Sequence, residues 1–148
     1  RASANDISVG QELLTFRVEI LFAFLFYEFA IGMKLLEEFG FVVDTAEDGT
    51  FAVEKMQKAS AGDYDFVLMD IRMPYMDGLE ATRRIRSLPN KTVADIPVIA
   101  LTAYADDENK KIASSVGIDA FAVKPIDIKK IMGLLTTIKT KKKLKENK

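Results

Sequence analysis

The chain has 148 residues, of which 49% are hydrophobic and 29% charged, a composition typical of a globular domain with one sizeable core and not of a disordered chain. It contains neither cysteine nor histidine, which excludes disulfides, thiolate or imidazole metal ligands and histidine bases. The net charge of −1 combines +5 in residues 139–148 with −6 in residues 1–138, a body whose sign does not favour direct nucleic-acid binding.

Five apolar, strand-like segments alternate with five segments of helical periodicity. The predicted strands cover residues 18–24, 41–45, 66–69, 97–101 and 120–123. The predicted helices cover residues 29–39, 51–59, 78–88, 107–116 and 126–140. The third strand is uniformly apolar, which indicates burial on both faces. The third helix is predicted to place its three arginines on the solvent side.

Strand–helix units joined by short connections predict a parallel sheet covered by helices on both faces. Right-handed crossovers leave few topologies for such a chain. We predict the α/β, doubly wound (βα)5 arrangement, a flavodoxin-like three-layer sandwich with strand order 2-1-3-4-5, whose crevice lies at the carboxyl ends of strands 1 and 3. Residues 18–138 would form this domain, residues 1–17 a linker or extra N-terminal segment, and residues 139–148 a lysine-rich tail.

Three reactive side chains stand at the carboxyl ends of neighbouring predicted strands. Asp70 follows the third strand, Thr102 the fourth and Lys124 the fifth. Each alone is more often a structural residue, but together at one sheet edge they favour a phosphoryl-transfer site. The carboxylate would act as nucleophile, and the hydroxyl and ammonium would stabilise the charge that develops on the phosphoryl oxygens.

The sequence words around these residues are long and specific. They are Met69-Asp-Ile-Arg-Met-Pro-Tyr-Met-Asp-Gly78, Pro97-Val-Ile-Ala-Leu-Thr-Ala103 and Gly117-Ile-Asp-Ala-Phe-Ala-Val-Lys-Pro125. Through them, residues 18–138 resemble the receiver domain of bacterial two-component response regulators, the CheY-like superfamily, and most of all the C-terminal receivers of hybrid sensor histidine kinases. The resemblance implies a cytoplasmic phosphorelay component that takes a phosphoryl group from a histidine kinase or a histidine phosphotransfer domain.

The same resemblance implies a role for individual residues. Asp70 would be the phosphoacceptor, Lys124 the phosphate-binding lysine, Thr102 the switch hydroxyl and Phe121 the switch aromatic. The backbone carbonyl of Arg72 would be a ligand of Mg²⁺, which is the family's cofactor.

One part of the family pattern is absent from this sequence. Receivers carry two adjacent acidic residues at the end of the first strand, which hold Mg²⁺ together with the phosphoacceptor. Those two positions fall on Ala23 and Phe24, and residues 22–27 contain no acid. We therefore expect weak Mg²⁺ binding, unless Glu28 or an acid in the loop after the fourth strand reaches the site.

This departure leaves alternatives open. The chain is either a phosphoacceptor or a degenerate pseudo-receiver, an interaction module without Mg²⁺-dependent phosphorylation, and an altered or wrongly assigned N-terminal sequence would produce the same pattern. A small-molecule enzyme or flavin binder on this fold ranks last, because the first strand–helix connection lacks a glycine-rich phosphate loop.

Two further expectations concern partners and context. The phenylalanines of the Phe22–Phe29 region predict an apolar face suited to self-association. The longest apolar run is too short to cross a bilayer, so no membrane span is expected. The first residue is Arg1, which favours a fragment of a longer protein, and whether a kinase core precedes it is left open.

Overall fold

The computed structural model describes residues 18–23, 29–103 and 106–147. The strands within these ranges are β1 Val18–Ala23, β2 Phe41–Ala46, β3 Phe66–Asp70, β4 Val98–Thr102 and β5 Ala120–Val123. The helices are α1 Phe29–Glu38, α2 Gly49–Lys58, α3 Gly78–Arg86, α4 Lys91–Ala94, α5 Asp107–Ser115 and α6 Ile128–Glu146. The predicted N-terminal segment, Phe24 and Glu28 lie outside the described residues, as does most of the predicted self-association region.

The five strands form one parallel sheet in the order β2-β1-β3-β4-β5, which confirms the predicted doubly wound topology. β1 pairs with β3 in a register that sets Ala23 opposite Met69. β4 pairs with β5 so that Thr102 lies opposite Val123. Because all the strands run in one direction, their carboxyl ends gather along a single edge of the sheet.

Side chains on the two faces of the sheet form two separate hydrophobic clusters. Along β3, Val67 and Met69 pack towards α2, α3 and α5, whereas Phe66 and Leu68 pack towards α1 and α6. All five β3 residues are buried, which confirms the burial that uniform apolarity predicted for residues 66–69. The sheet with its two helical layers is the predicted three-layer sandwich.

Helix α6 is longer than its predicted range of 126–140, because it continues to Glu146 through most of the lysine-rich segment. Its buried residues recur every three or four positions and are Ile128, Ile131, Leu135 and Ile138. Beyond them, Lys142 anchors the last turns, since its Nζ donates to the carbonyl oxygen of Asp95 at 2.6 Å. Among the described residues, no helix has the length and apolarity needed to cross a membrane.

Arg86, at the end of α3, joins four segments near the amino-terminal edge of the sheet. Its Nη1 donates to the carbonyl oxygens of Ala94 and Ile96, both at 2.6 Å. Its Nε and Nη2 donate to the Gly117 carbonyl oxygen at 3.0 and 2.7 Å, and Nη2 also contacts Asp119 Oδ2 at 2.8 Å. Burial lowers the pKa of Arg86, and the charge of Asp119 opposes that shift.

The prediction that all three arginines of α3 face solvent is therefore wrong for Arg86. Arg83 and Arg84 are exposed and pair with Glu80 on the same helix, as the pattern predicted. Arg86 instead folds back over the sheet edge, because carbonyl groups of the segments before β4 and β5 need donors there.

Candidate functional site

Asp70 ends β3 with only 1% of its surface exposed. Its Oδ1 accepts a hydrogen bond from the backbone N–H of Arg72 at 3.0 Å. Its Oδ2 accepts one from Lys124 Nζ, also at 3.0 Å. The predicted carboxylate and ammonium are therefore in direct contact, with the carboxylate oriented from both sides.

The segment that follows Asp70 is held closely against the end of β3. The N–H of Gly78 donates to the carbonyl oxygen of Ile71 at 3.0 Å, and the side chain of Asp77 caps α3 by accepting from Glu80 N at 2.9 Å. A Cβ atom on Gly78 would overlap the carbonyl oxygen of Asp70. Glycine is thus required where α3 begins, because only its bare backbone lets the helix approach Asp70 this closely.

Thr102 and Lys124 are joined through the backbone at the same edge. The N–H of Lys124 donates to the carbonyl oxygen of Thr102 at 2.9 Å, which links the end of β4 to the residue after β5. Both residues line a cleft of about 460 Å³ together with Asp70 and Phe121. The structure thus brings the four residues predicted from strand ends and motifs around one cavity.

Phe121 has one contact region inside the fold and one at the cleft. It packs against the hydrophobic cluster that faces α2, α3 and α5, and it is half-buried. Its position on β5 places it between the cleft and the side of the sheet that α5 covers. Phe121 and Thr102 therefore line the same cleft from neighbouring strands.

The end of β1 offers no carboxylate to this cleft. Ala23, the last residue of β1, is fully buried in the core. Asp106 lines the cleft, but its carboxylate caps α5 by accepting from Asn109 N at 2.8 Å. Within the described ranges, no group of three acidic side chains is placed to hold a metal ion. The described residues, with Asp70 and the backbone of Arg72 at the cleft, therefore do not by themselves complete the Mg²⁺ site that the resemblance implies.

Replacing Ala23 by Asp should tighten Mg²⁺ binding about tenfold or more, because it adds a carboxylate at the end of the strand beside β3. The metal-free variant should lose about 1–3 kcal/mol of stability, since a second carboxylate is then buried near Asp70. Calorimetric titration with Mg²⁺ measures the first effect and urea unfolding the second.

Ala46→Asp is the matched control, because Ala46 is also a buried alanine at a strand end but lies one strand further from Asp70. It should leave Mg²⁺ affinity unchanged. If the wild-type chain already binds Mg²⁺ as tightly as Ala23→Asp, then another acid, such as Glu28 or Asp106, supplies the missing ligand.

A family model described as the response regulator receiver domain matches residues 30–136. A hybrid signal transduction histidine kinase of Dictyostelium discoideum is 39% identical over 116 residues, which covers 72% of this chain and 6% of that protein. A probable histidine kinase of rice is 37% identical over 113 residues, covering 69% of this chain and 11% of that protein.

Solved structures agree with these sequence relatives. The receiver domain of a Pseudomonas aeruginosa sensor histidine kinase, which has magnesium in its active-site cleft, superposes with a TM-score of 0.70 at 30% identity. It covers 81% of this chain and 95% of that one. A Vibrio cholerae chemotaxis response regulator gives a TM-score of 0.70 at 26% identity, covering 83% and 99%.

The chain spans only a small part of the curated relatives that it matches. In five of them it covers between 4% and 11% of their length. Their organisms are a social amoeba and two plants, so the bacterial source implied by the sequence motifs stays a prediction, as does a cytoplasmic location.

Proposed function

Because this chain belongs to the response regulator receiver domain family, we propose that Asp70 accepts a phosphoryl group from a phosphohistidine on a partner protein. The observation that carries the proposal is the contact between the Asp70 carboxylate and the Lys124 ammonium at 3.0 Å, in a cleft that Thr102 also lines. The partner would be a histidine kinase or a histidine phosphotransfer domain.

The chemistry is a displacement at phosphorus. A carboxylate oxygen of Asp70 forms the new P–O bond while the P–N bond to the partner's imidazole breaks. The imidazole nitrogen keeps the electron pair and takes a proton from solvent, and the product on this chain is an acyl phosphate. The Lys124 ammonium and the Thr102 hydroxyl stabilise the phosphoryl oxygens as their charge rises in the transition state.

The proposed response to phosphorylation starts in the same cleft. A phosphoryl group adds negative charge and strong acceptor oxygens at the cleft, which draw the Thr102 hydroxyl inward. Phe121 then repacks, because it lines the cavity next to Thr102. The surface formed by α5, β5 and α6 would exist in two arrangements, and the phosphoryl group would favour one of them.

A second function is favoured by one specific observation, the buried alanine at the end of β1. With Ala23 in the place of an acid, the chain would be a pseudo-receiver, which uses the same surface for protein interaction without Mg²⁺-dependent phosphorylation. Its signal would then come from binding alone.

The experiment that separates the two functions uses a small phosphodonor. Incubation with phosphoramidate and Mg²⁺, followed by intact mass spectrometry, should add one phosphoryl group to the wild-type chain and none to Asp70→Asn. The asparagine variant is the matched control because it keeps the size of the side chain and removes the nucleophilic charge. Unmodified wild-type protein would favour the pseudo-receiver, and an equal adduct on both proteins would exclude Asp70 as the acceptor.

A further inference from the structure

Tyr75 is an exposed aromatic residue in an unusual backbone conformation, five positions after the proposed phosphoacceptor and at the same edge of the sheet. It lies in the segment between β3 and α3, and 96% of its surface is exposed. Its φ of 66° is positive, which among the described non-glycine residues occurs at this position alone. Glycine or asparagine adopts this conformation readily, whereas a bulky aromatic residue does so rarely.

The segment that carries Tyr75 is fixed on both sides. A tight turn closes around the tyrosine, with the N–H of Met76 donating to the carbonyl oxygen of Pro74 at 2.7 Å. The carbonyl oxygen of Met76 accepts from Gly49 N at 3.0 Å, which ties the turn to the start of α2. Before the turn, the Met73 side chain is buried with 8% exposure. The backbone at Tyr75 is therefore fixed, and the side chain that it carries is exposed to solvent.

The position of this ring matters because Asp70 itself is almost fully buried. A phosphohistidine must come within bonding distance of the Asp70 carboxylate, so the protein surface around that histidine has to cover the rim of the cleft. Tyr75 projects from the segment that leaves Asp70. Phe51, 45% exposed in the first turn of α2, belongs to the element that this segment contacts through Gly49.

We propose that Tyr75 is a docking residue that selects the phosphodonor protein, by packing its ring against an apolar surface beside the donor's phosphohistidine. This inference rests on the proposed phosphoacceptor function. Tyrosine offers a large, stiff contact area with one polar end, and it is enriched among the residues that dominate binding at protein interfaces. A side chain that is unfavourable for its own backbone and leaves 96% of its surface exposed fits a role in binding.

The test compares Tyr75→Asn and Tyr75→Phe with the wild-type chain. The donor is a phosphorylated histidine phosphotransfer domain chosen from a panel because it phosphorylates the wild-type chain. Tyr75→Asn should lower kcat/KM for transfer about tenfold, mainly through KM, and should leave the adduct from phosphoramidate unchanged. Tyr75→Phe should stay within about threefold of wild type, because the aromatic face remains.

Two controls separate docking from folding. Asparagine suits a positive φ better than tyrosine, so Tyr75→Asn should unfold at a Tm no lower than that of wild type. Phe39→Asn removes another exposed aromatic, 51% exposed after α1 and therefore near the opposite edge of the sheet, and should not affect transfer.

Equal kcat/KM for Tyr75→Asn and wild type would overturn the docking role and leave the phosphoacceptor function intact. A panel in which no phosphohistidine protein phosphorylates the wild-type chain, although phosphoramidate does, would overturn both the docking role and the proposed transfer from a partner's phosphohistidine. A wild-type chain that gains no adduct from either donor would overturn the proposed function, and the docking role with it.

Discussion

Replacing Lys124 by methionine should slow the phosphorylation of Asp70 about 100-fold or more, which is the effect expected when a charged group aimed at the transferring oxygens is removed. The Lys124 ammonium lies 3.0 Å from Asp70 Oδ2, and its side chain is 22% exposed. The ammonium is thus partly shielded from water. Its interaction with phosphoryl oxygens is stronger in such a place than at an open surface. Single-turnover phosphorylation by phosphoramidate measures the rate.

Lys129→Met is the matched control for this prediction, because Lys129 is an exposed lysine of α6 and its removal changes the net charge equally. Its phosphorylation rate should equal that of wild type. Lys124→Met should also lower stability, since Asp70 stays buried without its cation, and adding Asp70→Asn should restore part of the loss. If Lys124→Met is phosphorylated as fast as wild type, Lys124 does not stabilise the transition state.

The second large effect concerns Arg86, whose replacement by methionine should cost about 3–5 kcal/mol of unfolding free energy. The guanidinium donates to the carbonyl oxygens of Ala94, Ile96 and Gly117 and pairs with Asp119. Methionine has similar length but no donor, so these acceptors would lose their partner together. Urea unfolding followed by circular dichroism measures the loss.

Lys142→Met distinguishes the donor network from simple loss of a cation near Asp119. Lys142 is also close to Asp119, at 3.5 Å, but it donates to one further acceptor, the carbonyl oxygen of Asp95. Burial lowers the pKa of Lys142, with Asp119 opposing and Arg86 adding to that shift. Because Lys142 has fewer partners than Arg86, its replacement should change the free energy of unfolding by about 1 kcal/mol or less. Equal losses for Arg86→Met and Lys142→Met would contradict the role given to the carbonyl contacts.

The sheet and the candidate site were predictable because both follow from patterns that run along single segments. The uniform apolarity of residues 66–69 indicated a central buried strand, and β3 is paired on both sides. Asp70, Thr102 and Lys124 could be grouped from sequence because parallel strands bring their carboxyl ends to one edge. The buried Ala23 at the end of β1 likewise lies where the motif comparison placed it.

The features that the sequence did not reveal depend on contacts between distant segments. The helical pattern placed Arg86 towards solvent, but its partners lie up to 33 positions further along the chain. Helix α6 continues past residue 140, where Lys142 contacts Asp95, 47 positions away, and no local periodicity encodes that contact. The short helix α4 has four residues and begins at the Asn90 cap, too short for a periodic signal.

The requirement for glycine at position 78 is of the same kind. The sequence indicates a turn at Asp77-Gly78, and only the packed structure shows that a side chain there would overlap the Asp70 carbonyl. The sequence also does not single out Tyr75 as a docking residue, because that inference depends on its positive φ and its exposure, which only the structure shows.

The most direct test of the central claim is to locate the phosphoryl group chemically after transfer from a phosphohistidine protein. Borohydride reduces an acyl phosphate on aspartate to homoserine, so peptide mass spectrometry of the reduced, digested chain identifies the modified residue. The proposed function predicts homoserine at position 70 in the phosphorylated wild-type chain and unmodified peptide in Asp70→Asn. Homoserine at another aspartate, or no reducible adduct after exposure to donors that phosphorylate other receivers, would contradict it.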